Sequence, residues 1–172
     1  MIENTIAAFE AYPLLFYVVI VFIGLSIGSF LNVVVYRLPL IMERNWKIEC
    51  REFLELEPVK DEEPLASMTL ASPPSACPAC GHKIRFYENI PVLSYLFLRG
   101  RCSSCSSPIG LQYPMVELAT GLISILVAVR FGVSLQTVAA LLLSWVLIAL
   151  TLIDIKKMLL PDSMTLPLLW LG

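Results

Sequence analysis

Apolar residues dominate four stretches of this 172-residue chain, and charged residues are almost absent from them. Residues 14–36 and 133–153 carry no charge, and residues 115–131 carry charges only near their two ends. An α-helix needs roughly 20 residues to cross about 30 Å of hydrocarbon. The pattern therefore predicts an all-α multi-pass membrane protein with three spans. A fourth apolar stretch, 158–172, is too short to cross, so we expect a chain that is incomplete at its C-terminus.

Basic residues are concentrated between the first and second predicted spans. Nine of the 12 Lys and Arg residues lie there, two follow the third span, and one lies at the end of the second. The positive-inside bias then places residues 1–13 outside and the large loop, residues 37–112, in the cytoplasm. Only 15% of all residues are charged, against about a quarter in soluble domains, and the mean hydropathy is +0.79. The bilayer is the expected partner, and no nucleic-acid partner is expected.

Four cysteines of the large loop form two CxxC pairs, Cys77 with Cys80 and Cys102 with Cys105. Two thiolates at this spacing can bind one ion about 2.3 Å away, and two such turns complete a tetrahedron. The pairs predict a structural zinc site, because four thiolates leave no coordination position for water. A small zinc-knuckle module, residues 77–105, would fold around the ion. Disulfides and thiol redox catalysis are the competing interpretations, and a reducing cytoplasm disfavours both.

Other residues of the loop carry weaker signals. Gly81 follows the second cysteine, where a glycine can adopt a positive φ. Cys50 is expected to be an ordinary free thiol, and His82, the single histidine, a solvated turn residue. Residues 43–63 have a mixed-charge pattern that is compatible with a helix, and no repeat with a period of 20–50 residues is evident.

Small and polar residues interrupt the first span near its cytoplasmic half. Gly24 and Gly28 form a small-xxx-small pair, and Ser29 and Asn32 follow them. Such a pattern favours close helix packing with hydrogen bonds between helices. A role in a functional site stays open for these residues.

Acidic residues near the other spans are candidates for chemistry. Asp154 ends a long uncharged stretch, and a carboxylate at membrane depth is a functional candidate. Neutralisation of Asp154 by Lys156 or Lys157 is an equally good interpretation on physical grounds. Asp162 is expected to cap or turn the start of the fourth apolar segment, and Glu117 to be an interfacial residue rather than a catalytic one.

Four motifs in order along the chain resemble the type IV prepilin peptidases. They are Gly28-Ser-Phe-Leu-Asn-Val-Val-Val-Tyr-Arg-Leu-Pro39, the paired CxxC motifs, Tyr113-Pro-Met-Val-Glu117, and Ile153-Asp154 followed by Leu159-Leu-Pro-Asp162. The resemblance implies a fold of the GxGD-type aspartic peptidases, with residues 113–172 as the start of the peptidase membrane domain. It also implies a bacterial inner-membrane protein with a periplasmic N-terminus and a cytoplasmic active site.

The same resemblance implies two activities and their partners. A membrane aspartic endopeptidase would remove the leader peptide of prepilins or pseudopilins, and Asp154 matches the first catalytic aspartate. An N-methyltransferase would then modify the new N-terminal residue with S-adenosylmethionine. The residues that hold this methyl donor remain unassigned from the sequence.

The sequence departs from that family in one respect. The second catalytic aspartate belongs to a Gly-x-Gly-Asp motif in a later helix, and the 172 residues contain no such motif. We therefore expect the chain alone to be inactive. Two further hypotheses stay open, a non-catalytic membrane anchor with a zinc-binding interaction module and a membrane thiol oxidoreductase.

Overall fold

The computed structural model describes residues 2–56 and 68–171, which are mostly helical and contain no β-strand. Three helices of the described residues are long and apolar enough to cross a membrane, Pro13–Phe53, Gln112–Phe131 and Leu135–Lys157. This confirms the predicted all-α multi-pass fold class. The α-helices of the described residues are α1 (Ile2–Ala11), α2 (Pro13–Phe53), α3 (Leu93–Phe97), α4 (Gln112–Phe131), α5 (Leu135–Lys157) and α6 (Asp162–Leu171), and a short 3-10 helix spans Phe86–Asn89.

Helix α2 is much longer than a single membrane span. Its 41 residues extend about 62 Å at 1.5 Å per residue, roughly twice the thickness of the hydrocarbon. The helix therefore continues beyond the apolar stretch, through the charged Arg37 and through Pro39, without ending. The first part of the segment predicted as helix-compatible, residues 43–63, is helical to Phe53. Residues 57–63 of that prediction lie outside the described residues.

Helices α2 and α4 approach each other closely along small residues. A Cβ atom on Gly24 would lie 2.6 Å from Ser124 Oγ, and one on Gly28 would lie 2.7 Å from Glu117 Cα. Only glycine fits at this spacing. Asn32 adds a hydrogen bond between the same helices, because its Nδ2 donates to the carbonyl of Tyr113 at 3.1 Å. The predicted packing role of the small-xxx-small pair is confirmed.

Helix α5 completes the bundle by packing across α2 and α4. One apolar cluster joins Phe16 and Ile20 to Ala128 and Leu141, and a second joins Leu31, Val116 and Ala149. Trp145 contacts both clusters, and its indole N–H donates to Ser124 Oγ at 2.9 Å. The bundle therefore has an apolar interior, and the side chains of Asn32 and Trp145 form hydrogen bonds between its helices.

The ends of the last helices differ from the limits of the apolar stretches. Helix α5 begins after Ser134, whose Oγ accepts from the Thr137 N–H, and it continues through the charged residues to Lys157. Met158 then terminates it in the left-handed conformation, with φ +51°. Asp162 is the first residue of α6 and follows the buried Pro161, which agrees with its predicted place at a helix start.

Candidate functional site

The first CxxC pair forms a tight turn whose backbone amides point at sulfur. The Cys77 thiol accepts from the N–H groups of Ala79 and Cys80, and the Cys80 thiol accepts from that of His82. Gly81 closes the turn with φ +70°, and its N–H donates to the Cys77 carbonyl at 2.9 Å. This is the conformation that the glycine predicts. Such amides stabilise thiolates and thereby a bound metal ion.

The second CxxC pair repeats the first with an offset of 25 positions. The Cys77 N–H donates to the His82 carbonyl at 2.9 Å, and the Cys102 N–H donates to the Ser107 carbonyl at 2.8 Å. The same offset relates two antiparallel β-bridges, one between Ala76 and Lys83 and the other between Arg101 and Pro108. The expectation that no repeat occurs is therefore wrong. Sequence inspection missed the repeat because little besides the cysteines is shared between the two ten-residue segments.

The two turns bring all four cysteine sulfurs together. Every pair of Sγ atoms among Cys77, Cys80, Cys102 and Cys105 lies within 4.8 Å, and Cys77 Sγ is 3.8 Å from Cys105 Sγ. The remaining cysteine, Cys50, is an exposed free thiol on α2, outside this group. The arrangement is suited to a metal ion bound by four sulfurs.

The pKa is lowered for two thiols of this group and raised for a third. The Ser107 hydroxyl and then two backbone N–H groups lower the pKa of Cys77 to about 6, and the same hydroxyl lowers the pKa of Cys105. The His82 N–H acts to lower the pKa of Cys80, but desolvation and the neighbouring thiols outweigh it and raise that pKa to about 11. Sulfur atoms this close repel one another as thiolates, so a cation is needed for all four to ionise.

His82 is not a solvated turn residue, as the sequence suggested. Its Nε2 lies 3.3 Å from both Glu88 Oε2 and Ser103 Oγ, so the ring contacts the second cysteine turn directly at Ser103 and also the Glu88 carboxylate. The Arg85 N–H and the Ser103 hydroxyl lower the pKa of Glu88 to about 2, with a smaller contribution from His82. The histidine thus helps to hold the module together outside the group of sulfurs.

Arg37 attaches the segment before the first cysteine turn to helix α2. Its guanidinium donates to the carbonyls of Thr69, Leu70 and Pro73 at 3.0, 3.3 and 2.7 Å, and the side chain is buried. A planar guanidinium fork can bind several carbonyls at once, which a lysine cannot match. The sequence showed Arg37 only as a basic residue near the membrane.

Glu117 is buried, whereas the sequence suggested an interfacial side chain. Its Oε2 accepts from the Val92 N–H at 2.7 Å, and 8% of the residue is exposed. Val92 has φ +60° and forms a tight turn in which the Leu93 N–H donates to the Pro91 carbonyl at 2.6 Å. A β-branched residue in this conformation is strained. The loop thus folds over the start of α4 and holds a carboxylate there.

Asp154 has an exposed side chain near the end of α5. Among the described residues no ion pair joins it to Lys156 or Lys157, and Lys157 Nζ instead lies 2.9 Å from Glu43 Oε1 on α2. The interpretation in which a neighbouring lysine neutralises Asp154 is therefore not supported. Asp154 is not part of the group formed by the four cysteine sulfurs.

Two family models match most of the chain. The model of the bacterial peptidase A24 N-terminal domain matches residues 22–131, and that of the type IV leader peptidase family matches residues 141–172. These ranges cover the cysteine module and the segment with Asp154. No solved structure matches the chain.

Curated relatives share the same name. A prepilin leader peptidase/N-methyltransferase of Pseudomonas aeruginosa is 57% identical over 162 residues, which is 94% of this chain and 55% of that protein. Proteins of the same name from Stutzerimonas stutzeri and Neisseria gonorrhoeae are 53% and 50% identical, over 93% and 87% of this chain and 54% and 52% of their own lengths. The chain thus spans about half the length of the curated relatives it matches. With the family match over residues 22–131, the chain belongs to the bacterial A24 peptidases, the type IV leader peptidase family.

Proposed function

We propose that this chain forms part of a bacterial inner-membrane enzyme that removes the leader peptide of type IV prepilins or pseudopilins and N-methylates the new N-terminal residue. The family membership and the names of the relatives support both activities. The observation that carries the peptidase assignment is Asp154, a carboxylate at the end of a membrane helix without a cationic partner among the described residues.

Asp154 is proposed as one of two catalytic carboxylates. In an aspartic peptidase two such groups share one proton, so that one activates water and the other protonates the leaving amine. The side chain is exposed, as a group that must reach a substrate has to be. The resemblance assigns the second carboxylate to a Gly-x-Gly-Asp element of the family.

The large loop and the active site are proposed to lie on the cytoplasmic side. Most basic residues fall in the loop, and Lys156 and Lys157 follow α5. The ion pair of Lys157 with Glu43 connects the end of α5 to the part of α2 beyond the apolar span. Asp154 and the loop are therefore on the same side of the bundle.

Zinc is the metal that the four cysteines fit best. Zn–S bonds of about 2.3 Å in a tetrahedron require sulfurs about 3.8 Å apart, and Cys77 Sγ and Cys105 Sγ are separated by 3.8 Å. The other sulfurs need only a small adjustment, since all lie within 4.8 Å. With Cys77, Cys80, Cys102 and Cys105 as ligands, no site for water remains. The ion then stabilises the module and takes no part in hydrolysis.

Asp154→Asn tests the peptidase assignment in the full-length product of the gene. The unmodified enzyme should cleave a purified prepilin, and the variant should lose at least about a hundredfold in rate, since an amide cannot exchange the catalytic proton. Asp162→Asn is the matched control, because it alters a nearby acid at a helix start and should retain activity. Full activity of Asp154→Asn would exclude this residue from the catalytic pair. No cleavage by the unmodified protein would leave a zinc-bearing membrane anchor.

A further inference from the structure

A cavity of about 510 Å³ lies between the membrane helices and the cysteine module. Its walls come from α2, the start of α4, the region of α3 and the two cysteine turns. This volume is typical of a small-molecule site, which usually combines apolar and aromatic walls with a few polar groups. Three tyrosines provide aromatic surface in its lining, Tyr36, Tyr95 and Tyr113.

Asn32 supplies an unused hydrogen-bond acceptor in this lining. Its Nδ2 donates to the carbonyls of Gly28 and Tyr113, so the orientation of the amide is fixed by two bonds. Its Oδ1 is buried and has no partner among the described residues, although the residue is only 5% exposed. Buried carbonyl oxygens almost always accept a hydrogen bond. A ligand with N–H or O–H groups would provide the missing donor.

Glu117 supplies a carboxylate in the same lining, and its backbone lies at the close contact of α2 with α4. The strained turn at Val92 donates to Oε2 and fixes the position of the side chain. Backbone strain of this kind persists where the surrounding structure demands a particular geometry, often at a binding site. The lining also contains Arg37, whose guanidinium nitrogens are bonded to three backbone carbonyls. The same lining contains a second carboxylate, Glu88, and no lysine among the described residues, so a cationic ligand meets two carboxylates against the single guanidinium of Arg37.

We infer that this cavity binds S-adenosylmethionine, with Glu117 facing the cationic part of the methyl donor and Asn32 Oδ1 accepting one of its hydrogen bonds. The inference rests on the proposed methyltransferase function and gives that activity a place in the chain. Nucleosides bind on aromatic side chains, and the tyrosines of the lining provide that surface. Among the reactants of the methyl transfer, S-adenosylmethionine is the one that combines a flat aromatic base, hydroxyl groups and a sulfonium cation.

Glu117→Gln isolates the contribution of the charge. Glutamine keeps an oxygen that can accept from the Val92 N–H, so the turn and the fold should persist, but the negative charge is lost. Equilibrium dialysis with the purified full-length protein should show about tenfold weaker binding of S-adenosylmethionine and of sinefungin, which carries an amine in place of the sulfonium. S-adenosylhomocysteine, neutral at sulfur, should lose less. Equal loss for all three would assign Glu117 to the α-ammonium that they share, in the same cavity. Unchanged affinity for all three would overturn the inference.

Two controls separate this result from other failures. Glu10→Gln makes the same chemical change on an exposed residue of α1 and should leave binding unaltered. Ultraviolet crosslinking of radiolabelled S-adenosylmethionine to the unmodified protein needs no variant and should label peptides with Tyr36, Tyr95 or Tyr113. Label confined to other peptides would overturn the inference. If the unmodified protein cleaves and methylates a prepilin while Glu117→Gln binds the donor normally, only the inference fails. If it does neither, the proposed function fails first.

Discussion

One backbone position distinguishes the two cysteine turns. Gly81 has φ +70° in the first turn, and Ser106 occupies the equivalent position in the second with φ +59°. Glycine adopts this conformation without steric cost, whereas other residues lose about 1 kcal/mol or more. The second turn is therefore the more strained of the two.

Ser106→Gly should stabilise the module. We expect a gain of about 0.5–1 kcal/mol, partly offset by the greater freedom of glycine in the unfolded chain. The measurement is the zinc affinity of the purified protein, determined by competition with a chromophoric chelator. Gly81→Ala is the reciprocal control and should weaken binding, since a Cβ there meets no atom within 4 Å and only the backbone conformation opposes it. A change of zinc affinity in the same direction for both substitutions would contradict the equivalence of the turns.

At the level of single residues, the sequence identified metal ligands and a turn glycine more readily than the burial and the contacts of individual side chains. The cysteines and Gly81 could be assigned because metal ligands and left-handed turns follow local spacing rules. The burial of Glu117 could not, because it depends on a strained turn that lies 25 residues earlier in the chain. The contacts of His82 depend in the same way on Glu88 and Ser103, which only the folded module brings near.

Among the helices, the contact of α2 with α4 depends most on the absence of side chains. Backbone and side-chain atoms of α4 occupy the space where Cβ atoms of Gly24 and Gly28 would lie. In a membrane, where lipid and apolar side chains are similar solvents, such close packing is a main source of helix association.

Gly28→Ala should destabilise the helix bundle by about 1–3 kcal/mol, because the added methyl meets the Glu117 backbone at 2.7 Å and the helices must separate. The thermal midpoint of the protein in detergent is the measurement. Gly110→Ala is the control, since its Cβ would be 3.8 Å from the Tyr113 ring, an ordinary contact. A Gly28→Ala midpoint equal to that of the unmodified protein would show that α2 and α4 do not pack as described.

Apolar runs in the sequence located the three helices that are long and apolar enough to span a membrane. The helix ends nevertheless differ from the limits of those runs. Helix α2 continues far beyond Tyr36 and α5 continues to Lys157, because charged residues can remain helical once they leave the hydrocarbon. Hydropathy indicates which residues lie in the hydrocarbon, whereas a helix ends where its backbone hydrogen bonds end. In α5 that point is Met158 in a left-handed conformation, for which the sequence has no glycine signal.

The whole molecule combines a membrane bundle with a module of little apolar core. The bundle contains the two buried apolar clusters, whereas the cysteine turns are half-buried or exposed. Metal binding should therefore control the folding of the cysteine module but not that of the membrane bundle.

Chelation of the metal should change the thiol count without melting the helices. Of the five cysteines, only Cys50 should react rapidly with a thiol reagent before chelation, and all five should react afterwards. Helical circular dichroism should change little. In Cys50→Ser the counts should become zero and four. Rapid reaction of all the thiols before chelation would point to an unmetallated site, as the thiol oxidoreductase hypothesis requires.

The continuity of α2 ties the angular position of the module to that of the membrane helices. Gly28 and Asn32 face α4, and Arg37, further along the same helix, binds the segment just before the module. Each residue of an α-helix advances the direction of its side chain by about 100°. One residue inserted between Asn32 and Arg37 would rotate the attachment point by that angle and move the module off α4, whereas seven would nearly restore the original direction. The rotation of α2 about its own axis therefore determines whether the two sides of the cavity, the membrane helices and the cysteine module, face each other.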